Sequence, residues 1–114
     1  MMDKFKFEGI GEVVVSIYLN QSVQPGTVVC MLDNNWAHAC LNGNQFCGVA
    51  RKRKGEMGSV QVKGFARVSY SGELKHGWKP LVADGNGGVR EDANGIQRLV
   101  IQVDEEEHTA VICL

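Results

Sequence analysis

The stretch that decides the fold is Ser59-Val60-Gln61-Val62-Lys63-Gly64-Phe65-Ala66-Arg67-Val68-Ser69-Tyr70, the longest alternating segment of the chain. Its small and apolar residues share one face if the segment is extended: Val60, Val62, Gly64, Ala66, Val68 and Tyr70. Polar residues occupy the other face, and Phe65 is the exception. A period of two is typical of a strand between a core and water. We therefore predict one long, half-buried strand here.

The same alternation recurs on both sides of this segment, between turn sequences. Val13, Val15, Ile17 and Leu19 share one predicted inward face, and Thr27 to Leu32 leads into the turn residues Asp33-Asn34-Asn35. Helical periodicity is weak, whereas glycine occurs 14 times. About ten short strands separated by turns predict an all-β fold, either a small barrel or a sandwich.

The size of the chain favours one domain. Its 114 residues are 44% hydrophobic and 22% charged, which is the balance of a globular domain with its own core. We interpret 1–114 as a single β domain in which 1–10 form a flexible N-terminal arm. At most one short helical turn is expected, near Asp92 to Gln97 or near Gly72 to Gly77.

Two segments of the sequence resemble each other. Gly26 precedes Asp33 by seven positions, Gly77 precedes Asp84 by seven, and a hairpin is predicted after each. Unrelated hairpins share such turn residues, because few residue types suit a tight turn. The echo therefore leaves two interpretations open: a chance similarity, or a pair of related hairpins in a pseudo-duplicated barrel.

Charge and hydropathy narrow the classes of partner. The formal net charge of −1 does not favour nucleic acid or an anionic membrane as a partner. No apolar stretch approaches the roughly 20 residues of a membrane span. The first residues, Met1 to Phe7, lack the apolar core of a signal peptide. We expect a protein that is made and kept in a cytosol.

Four cysteines, Cys30, Cys40, Cys47 and Cys113, raise the question of disulfides and metal sites. A reducing compartment favours buried free thiols. His38, Cys40 and Cys47 could approach one another across a turn, but six residues separate the two cysteines, which is not a zinc-ligand spacing. We predict no metal and no other cofactor.

No recognisable catalytic motif is present in the sequence. There is no Gly-x-Ser-x-Gly elbow and no glycine-rich phosphate loop that leads into a helix. A Cys–His nucleophile pair is the remaining enzymatic alternative, but nothing marks one cysteine as activated. We predict a protein that is not an enzyme and has no catalytic residues.

The basic run Arg51-Lys52-Arg53-Lys54 is the strongest local charge feature. It is interpreted either as a solvated surface loop or as a contact with an acidic protein or nucleic acid. Phe65 and Arg67 on one strand give only a thin version of the aromatic and basic pattern of an oligonucleotide-binding barrel. We therefore take Arg51, Lys52, Arg53 and Lys54 as candidate partner contacts.

The order of several segments resembles the capsid decoration, or head-stabilising, proteins of tailed phages and prophages. The resemblance covers most of the chain from Val23 onward. It is carried by glycine and β-branched patterns in Val23 to Val29, Leu32 to Ala39, Gly48 to Ala50, Gly55-Glu56, Val60 to Val68, Gly77 to Arg90 and Ala110 to Leu114. The four cysteines and the basic run depart from the common pattern.

The resemblance implies a non-catalytic β-barrel that assembles, often as a homotrimer, on the outside of a phage head. The expected partner is the major capsid protein, and the expected location is the virion after synthesis in the bacterial cytoplasm. Phe5 and Phe7 in the N-terminal segment are further candidate contacts, since an extended segment can add a strand to a capsid edge. The alternative is a small β-barrel module that binds nucleic acid or another protein.

Overall fold

The computed structural model describes residues 11–114, which form ten β-strands in two sheets and contain no helix. The all-β prediction is confirmed, and both a barrel and a second layer are present. At the first proposed helical turn, the N–H of Gly95 instead donates to the carbonyl of Asp92 at 2.8 Å, which closes a tight turn.

The first sheet is a closed barrel. Its strands are β1 (Val13–Leu19), β2 (Val28–Asp33), β3 (Trp36–Ala39), β4 (Gly48–Lys54) and β5 (Met57–Lys63). Their order around the barrel is β1-β3-β2-β4-β5, with β1 parallel to β3 and all other pairs antiparallel. Asn34 and Asn35 form the turn between β2 and β3, and Asn35 has a φ of 65°. Asparagine tolerates this left-handed conformation, which explains the predicted hairpin.

The second sheet follows immediately. Its strands are β6 (Phe65–Ser69), β7 (Gly77–Ala83), β8 (Val89–Glu91), β9 (Ile96–Asp104) and β10 (Thr109–Cys113). Their order is β6-β10-β9-β7-β8, and all neighbouring pairs are antiparallel. A single parallel bridge between Tyr70, just after β6, and Val89 joins the two edges. The sheet is therefore strongly curled.

The two sheets have the same topology. Adding five to each strand number of the first sheet reproduces every pairing of the second, including the parallel contact between its first and third strands. The hairpin after Gly26 is β2–β3, and the hairpin after Gly77 is β7–β8, so the two occupy equivalent places. Of the two interpretations of the sequence echo, this topology favours the pseudo-duplicated one.

The long strand predicted around Gly64 is wrong in one respect, because β5 and β6 belong to different sheets. Gly64 turns the chain between them with a φ of 96°, and a Cβ at this position would meet the backbone of Glu12. The alternation still continues across the bend. Val60 faces the barrel interior, whereas Ala66 and Val68 face the second core, so the sequence pattern alone hides the break.

Two apolar clusters hold the fold together. The barrel interior contains Leu19, Val23, Val29, Ala37, Ala50 and Val60. The larger cluster lies between the layers and draws on both: Val28, Cys30, Cys40, Phe46, Val49, Ala66, Val68, Tyr70, Leu74, Leu81, Ala83, Val89, Val100, Ala110 and Ile112. Successive residues of β2 and of β4 enter different clusters, so both strands are buried on both faces.

The face predicted for β1 is only partly buried. Leu19 is buried and Ile17 is half-buried, but Val13 and Val15 are exposed. The prediction of an inward-facing stripe is therefore wrong at the start of the strand. The barrel interior is narrow there, and the described chain places no second layer over that end.

The prediction of buried free thiols is wrong for two of the four cysteines. Cys30 on β2 and Cys40 just after β3 form a disulfide, with their Cα atoms 5.6 Å apart. The hairpin brings these positions together, which residue spacing alone does not reveal. Cys47 and Cys113 are free thiols, but Cys47 is exposed and Cys113 is half-buried.

Candidate interaction surface

The basic run lies on β4, not in a loop, so its side chains alternate between the two sides of the barrel wall. Lys52 lies opposite Ser59 and Lys54 opposite Met57, on the outer side. Arg53 lies opposite Gly58, on the inner side. A run that looks uniform in sequence is thus divided by strand geometry into two outward lysines and arginines with structural contacts.

Arg53 closes one end of the barrel. Its guanidinium donates to the carbonyls of Leu19 at 2.9 Å, Asn20 at 3.0 Å and Val23 at 2.8 Å, and its Nε donates to Gly55 at 2.9 Å. These acceptors belong to the segment that leaves β1 and to the turn after β4. The side chain therefore serves the fold, and we withdraw it as a partner contact.

Arg51 holds the junction between the two layers. Its Nη1 donates to Glu12 at 3.0 Å and to Oε1 of Gln61 at 2.9 Å. Gln61 is fully buried, and its Nε2 donates to the carbonyls of Lys63 and Phe65 on either side of the bend. Because these contacts occupy much of the guanidinium, Arg51 is mainly structural as well.

The two lysines border a row of outward side chains that crosses four strands. Lys54, Met57, Tyr18 and Trp36 follow one another in cross-strand register. The rings of Tyr18 and Trp36 stack with centroids 5.0 Å apart and an interplanar angle of 24°. We call Lys52, Lys54, Met57, Tyr18 and Trp36 the aromatic–lysine face.

The aromatic–lysine face lies where apolar exposure is concentrated. Among residues 11–114, seven of the ten exposed large hydrophobic residues are on strands of the first barrel: Val13, Val14, Val15, Tyr18, Met31, Leu32 and Met57. Scattered apolar residues are normal on a protein surface, but a contiguous set marks an interaction site. Sequence reasoning missed this face because cross-strand neighbours are set by register, although the alternation of β1 does place Tyr18 outward.

A shallow cleft at the junction of the layers joins two other candidates from the sequence. It has a volume of about 200 Å³, and its lining includes Arg51, Gln61, Phe65 and Arg67. Arg67 is exposed and donates to Gln102 at 3.5 Å. Small-molecule sites usually have volumes of about 300–1,000 Å³ and enclose their ligands. This cleft is better suited to one side chain of a partner than to a nucleotide.

The histidine and cysteine candidates do not assemble into one site. His38 Nε2 lies 3.0 Å from Oδ2 of Asp33, while Cys40 is bonded to Cys30. Within residues 11–114, no group of three or more His, Cys, Asp and Glu residues is arranged to hold a metal. Desolvation raises the pKa of the Cys47 thiol, which disfavours the reactive thiolate.

The hairpin between β9 and β10 has the opposite charge. Asp104 accepts hydrogen bonds from the backbone N–H groups of Glu106 and Glu107, both at 3.1 Å, and so fixes the turn. Glu105, Glu106 and Glu107 are exposed. Beside the turn lies a groove of about 300 Å³ whose lining includes Tyr70 and His108, with rings stacked 4.9 Å apart.

Comparison of the sequence with protein-family models gives no match. A search of curated proteins likewise finds none with significant similarity. In residues 11–114 the structure has no helix of the length and apolarity needed to cross a membrane. Phe5 and Phe7 lie outside the described residues, so their predicted role as partner contacts stays a prediction.

Proposed function

We propose that this chain is a structural protein of a tailed phage or prophage that binds and stabilises the outside of the capsid shell without catalysis. The aromatic–lysine face is the observation that carries this proposal. It is an exposed, mostly flat surface with aromatic and thioether side chains at its centre and two cations at its edge. Such a surface suits a large protein partner better than a small substrate.

The physical basis is the combination of anchors and rigidity. Tyrosine, tryptophan and methionine are enriched in the cores of protein interfaces, because they bury much area with little loss of conformational freedom. Tyr18 and Trp36 are already stacked in the isolated chain. Both strands that carry them are hydrogen-bonded on each side within a closed barrel. Little ordering is therefore required on binding, which favours affinity.

The sequence resemblance supports a phage head as the location of that partner. The resembling segments are spread over both layers and include the strands at the bend, from Val60 to Val68. They thus cover the whole double-layered body rather than one hairpin. We propose the major capsid protein as the partner, a homotrimer as the assembled form, and the virion surface as the location.

The test uses expanded heads of the phage or prophage that carries this gene, prepared without this protein. We expect the full chain to cosediment with these heads and to raise their melting temperature. The Tyr18→Ser/Met57→Ser double variant should bind at least tenfold more weakly, as expected when two central anchors are removed. Trp78→Ser is the matched control, since Trp78 is exposed on β7 of the other sheet.

Two outcomes would refute the proposal. Heads that recruit none of the wild-type chain would exclude capsid binding. Equal loss of binding in the Trp78→Ser control would show that the aromatic–lysine face is not the contact. Circular dichroism of each variant checks that the fold is retained, because all three positions are exposed.

A single-stranded nucleic acid is the second candidate partner, and the same face gives the specific observation in its favour. Stacked aromatic rings beside lysines on the outer side of a barrel match the way such strands are bound. Fluorescence anisotropy with a labelled oligothymidylate measures this directly. If it binds, Lys52→Gln/Lys54→Gln should lower the dependence on salt by about 1.4 in the log–log slope, about 0.7 for each phosphate contact. Binding to heads without binding to the oligonucleotide would reject this candidate.

A further inference from the structure

The internal repeat places two oppositely charged hairpins at equivalent positions. The hairpin β4–β5 of the first barrel corresponds to β9–β10 of the second sheet. The first carries Lys52 and Lys54 on its outer side, and the second carries Glu105, Glu106 and Glu107 at its turn. Related positions with opposite charge are complementary, which provides one chain with both halves of a contact.

These charges are largely unpaired within one chain. Among the ion pairs of residues 11–114, none involves Lys52 or Lys54, and the acidic turn has only Glu105 near Lys75 at 3.9 Å. Both members of that pair are highly exposed, so it contributes little. Exposed and unpaired charges beside an apolar surface are available to a partner.

We propose that the aromatic–lysine face of one copy binds the acidic β9–β10 hairpin of a second copy. This deepens the proposed function by assigning the contact between copies, and it rests on that function only for its biological setting. In the contact, Lys52 and Lys54 face the glutamates of the turn. The apolar side chains beside them meet the groove that Tyr70 and His108 line.

The sign of the charges determines the geometry of this association. A two-fold contact of the face with itself would oppose lysine to lysine, and the acidic hairpin would likewise repel its own kind. Only a head-to-tail contact pairs unlike charges. Contacts of this kind join different surfaces of successive copies, and they form a ring when the rotation closes. A closed ring uses both surfaces of every copy.

Salt dependence separates this contact from a purely apolar one. The Debye length falls from about 10 Å at 0.1 M to about 3 Å at 1 M ionic strength, which screens exposed charges. We expect the dissociation constant of the full chain to rise at least tenfold over this range, as measured by sedimentation velocity or mass photometry. An assembly held by apolar contacts alone would strengthen or stay unchanged.

The decisive experiment reverses each charge set separately and then combines the variants. Lys52→Glu/Lys54→Glu should lose self-association at least tenfold, and so should Glu106→Lys/Glu107→Lys. Mixing the two variants should restore the complex in a one-to-one composition, because each copy then presents what the other lacks. Lys79→Glu/Glu91→Lys, which reverses one charge of each sign on β7 and β8, is the control and should associate like wild type.

The outcomes are unambiguous. A wild-type chain that stays monomeric up to about 100 times the micromolar range typical of weak complexes would overturn the proposal. Oligomers that tolerate both charge reversals, or variants that fail to complement each other when mixed, would also overturn it. Head binding is measured independently. A charge-reversed monomer that still binds heads would retain the proposed function, whereas an intact ring that binds no head would reject only that function.

Discussion

Arg53 gives the sharpest test of how the basic run is divided. We predict that Arg53→Ala strongly destabilises the fold, whereas Lys52→Ala, one residue away in the same run, changes the free energy of unfolding by less than about 0.5 kcal/mol. The difference follows from geometry. Arg53 donates four hydrogen bonds to main-chain carbonyls at one end of the barrel, and Lys52 projects outward opposite Ser59.

The magnitude can be worked from these bonds. Each hydrogen bond from a charged donor contributes about 1.5 kcal/mol or more, and ordering one arginine side chain costs about 2 kcal/mol. Four bonds thus give a net stabilisation of about 4 kcal/mol. Truncation also leaves the carbonyls of Leu19, Asn20 and Val23 without this donor, although water reaches part of the site. Arg53→Lys should fall between, because one ammonium cannot reach all four acceptors.

Urea unfolding followed by circular dichroism provides the measurement. With a urea dependence of about 1.5 kcal/mol per molar, the Arg53→Ala midpoint should fall by about 2.5 M, while that of Lys52→Ala stays within about 0.3 M. Equal midpoints for the two variants would refute the division of the run. So would a Lys52→Ala variant that proved as unstable as Arg53→Ala.

Three other expectations follow from the structure. Reducing the Cys30–Cys40 disulfide should lower stability by about 3 kcal/mol for its ten-residue separation; dithiothreitol should shift the urea midpoint of wild type but not of a Cys30→Ala/Cys40→Ala variant. Asp92 has a lowered pKa, first because it accepts a backbone hydrogen bond and then because of its arginine partner, so its contribution is present above about pH 4 and lost as the pH falls through the lowered value. Asp92→Asn should therefore be less stable than wild type at pH 6, and urea midpoints at lower pH should show the difference closing. Gly58→Val should lower stability by about 2 kcal/mol, because a Cβ there meets Leu19 and the backbone of the facing strand; an unchanged melting temperature would contradict the close packing at that position.

The elements of this fold that depend on local chemistry could be predicted from the sequence. Asn34-Asn35 marks the β2–β3 turn because asparagine tolerates a positive φ, and alternation marks Val28 to Leu32 as strand. The equivalence of the hairpins after Gly26 and Gly77 was suggested by their spacing alone. These signals act over a few residues, so one sequence contains them completely.

What depends on pairing between distant strands could not be predicted. The break at Gly64 preserves the alternation, so one strand in the sequence becomes two in different sheets. The stack of Tyr18 on Trp36 exists only because β1 and β3 are parallel neighbours. The division of the basic run, by contrast, follows from the period of two once Arg51 to Lys54 is assigned to a strand, and it was missed because the run was interpreted as a loop.

Strands β2 and β4 contribute to both apolar clusters at once, and this has a consequence for how the molecule comes apart. Neither layer can lose its structure while the other keeps a sealed interior, so residues 11–114 should behave as a single cooperative unit. Each layer contains its own fluorescent reporter, Trp36 in the first and Trp78 in the second. In the Trp78→Phe and Trp36→Phe variants, the remaining tryptophan should report the same denaturation midpoint, once each is referred to the circular dichroism of the same variant. A molecule built from two similar halves would thus have one melting transition.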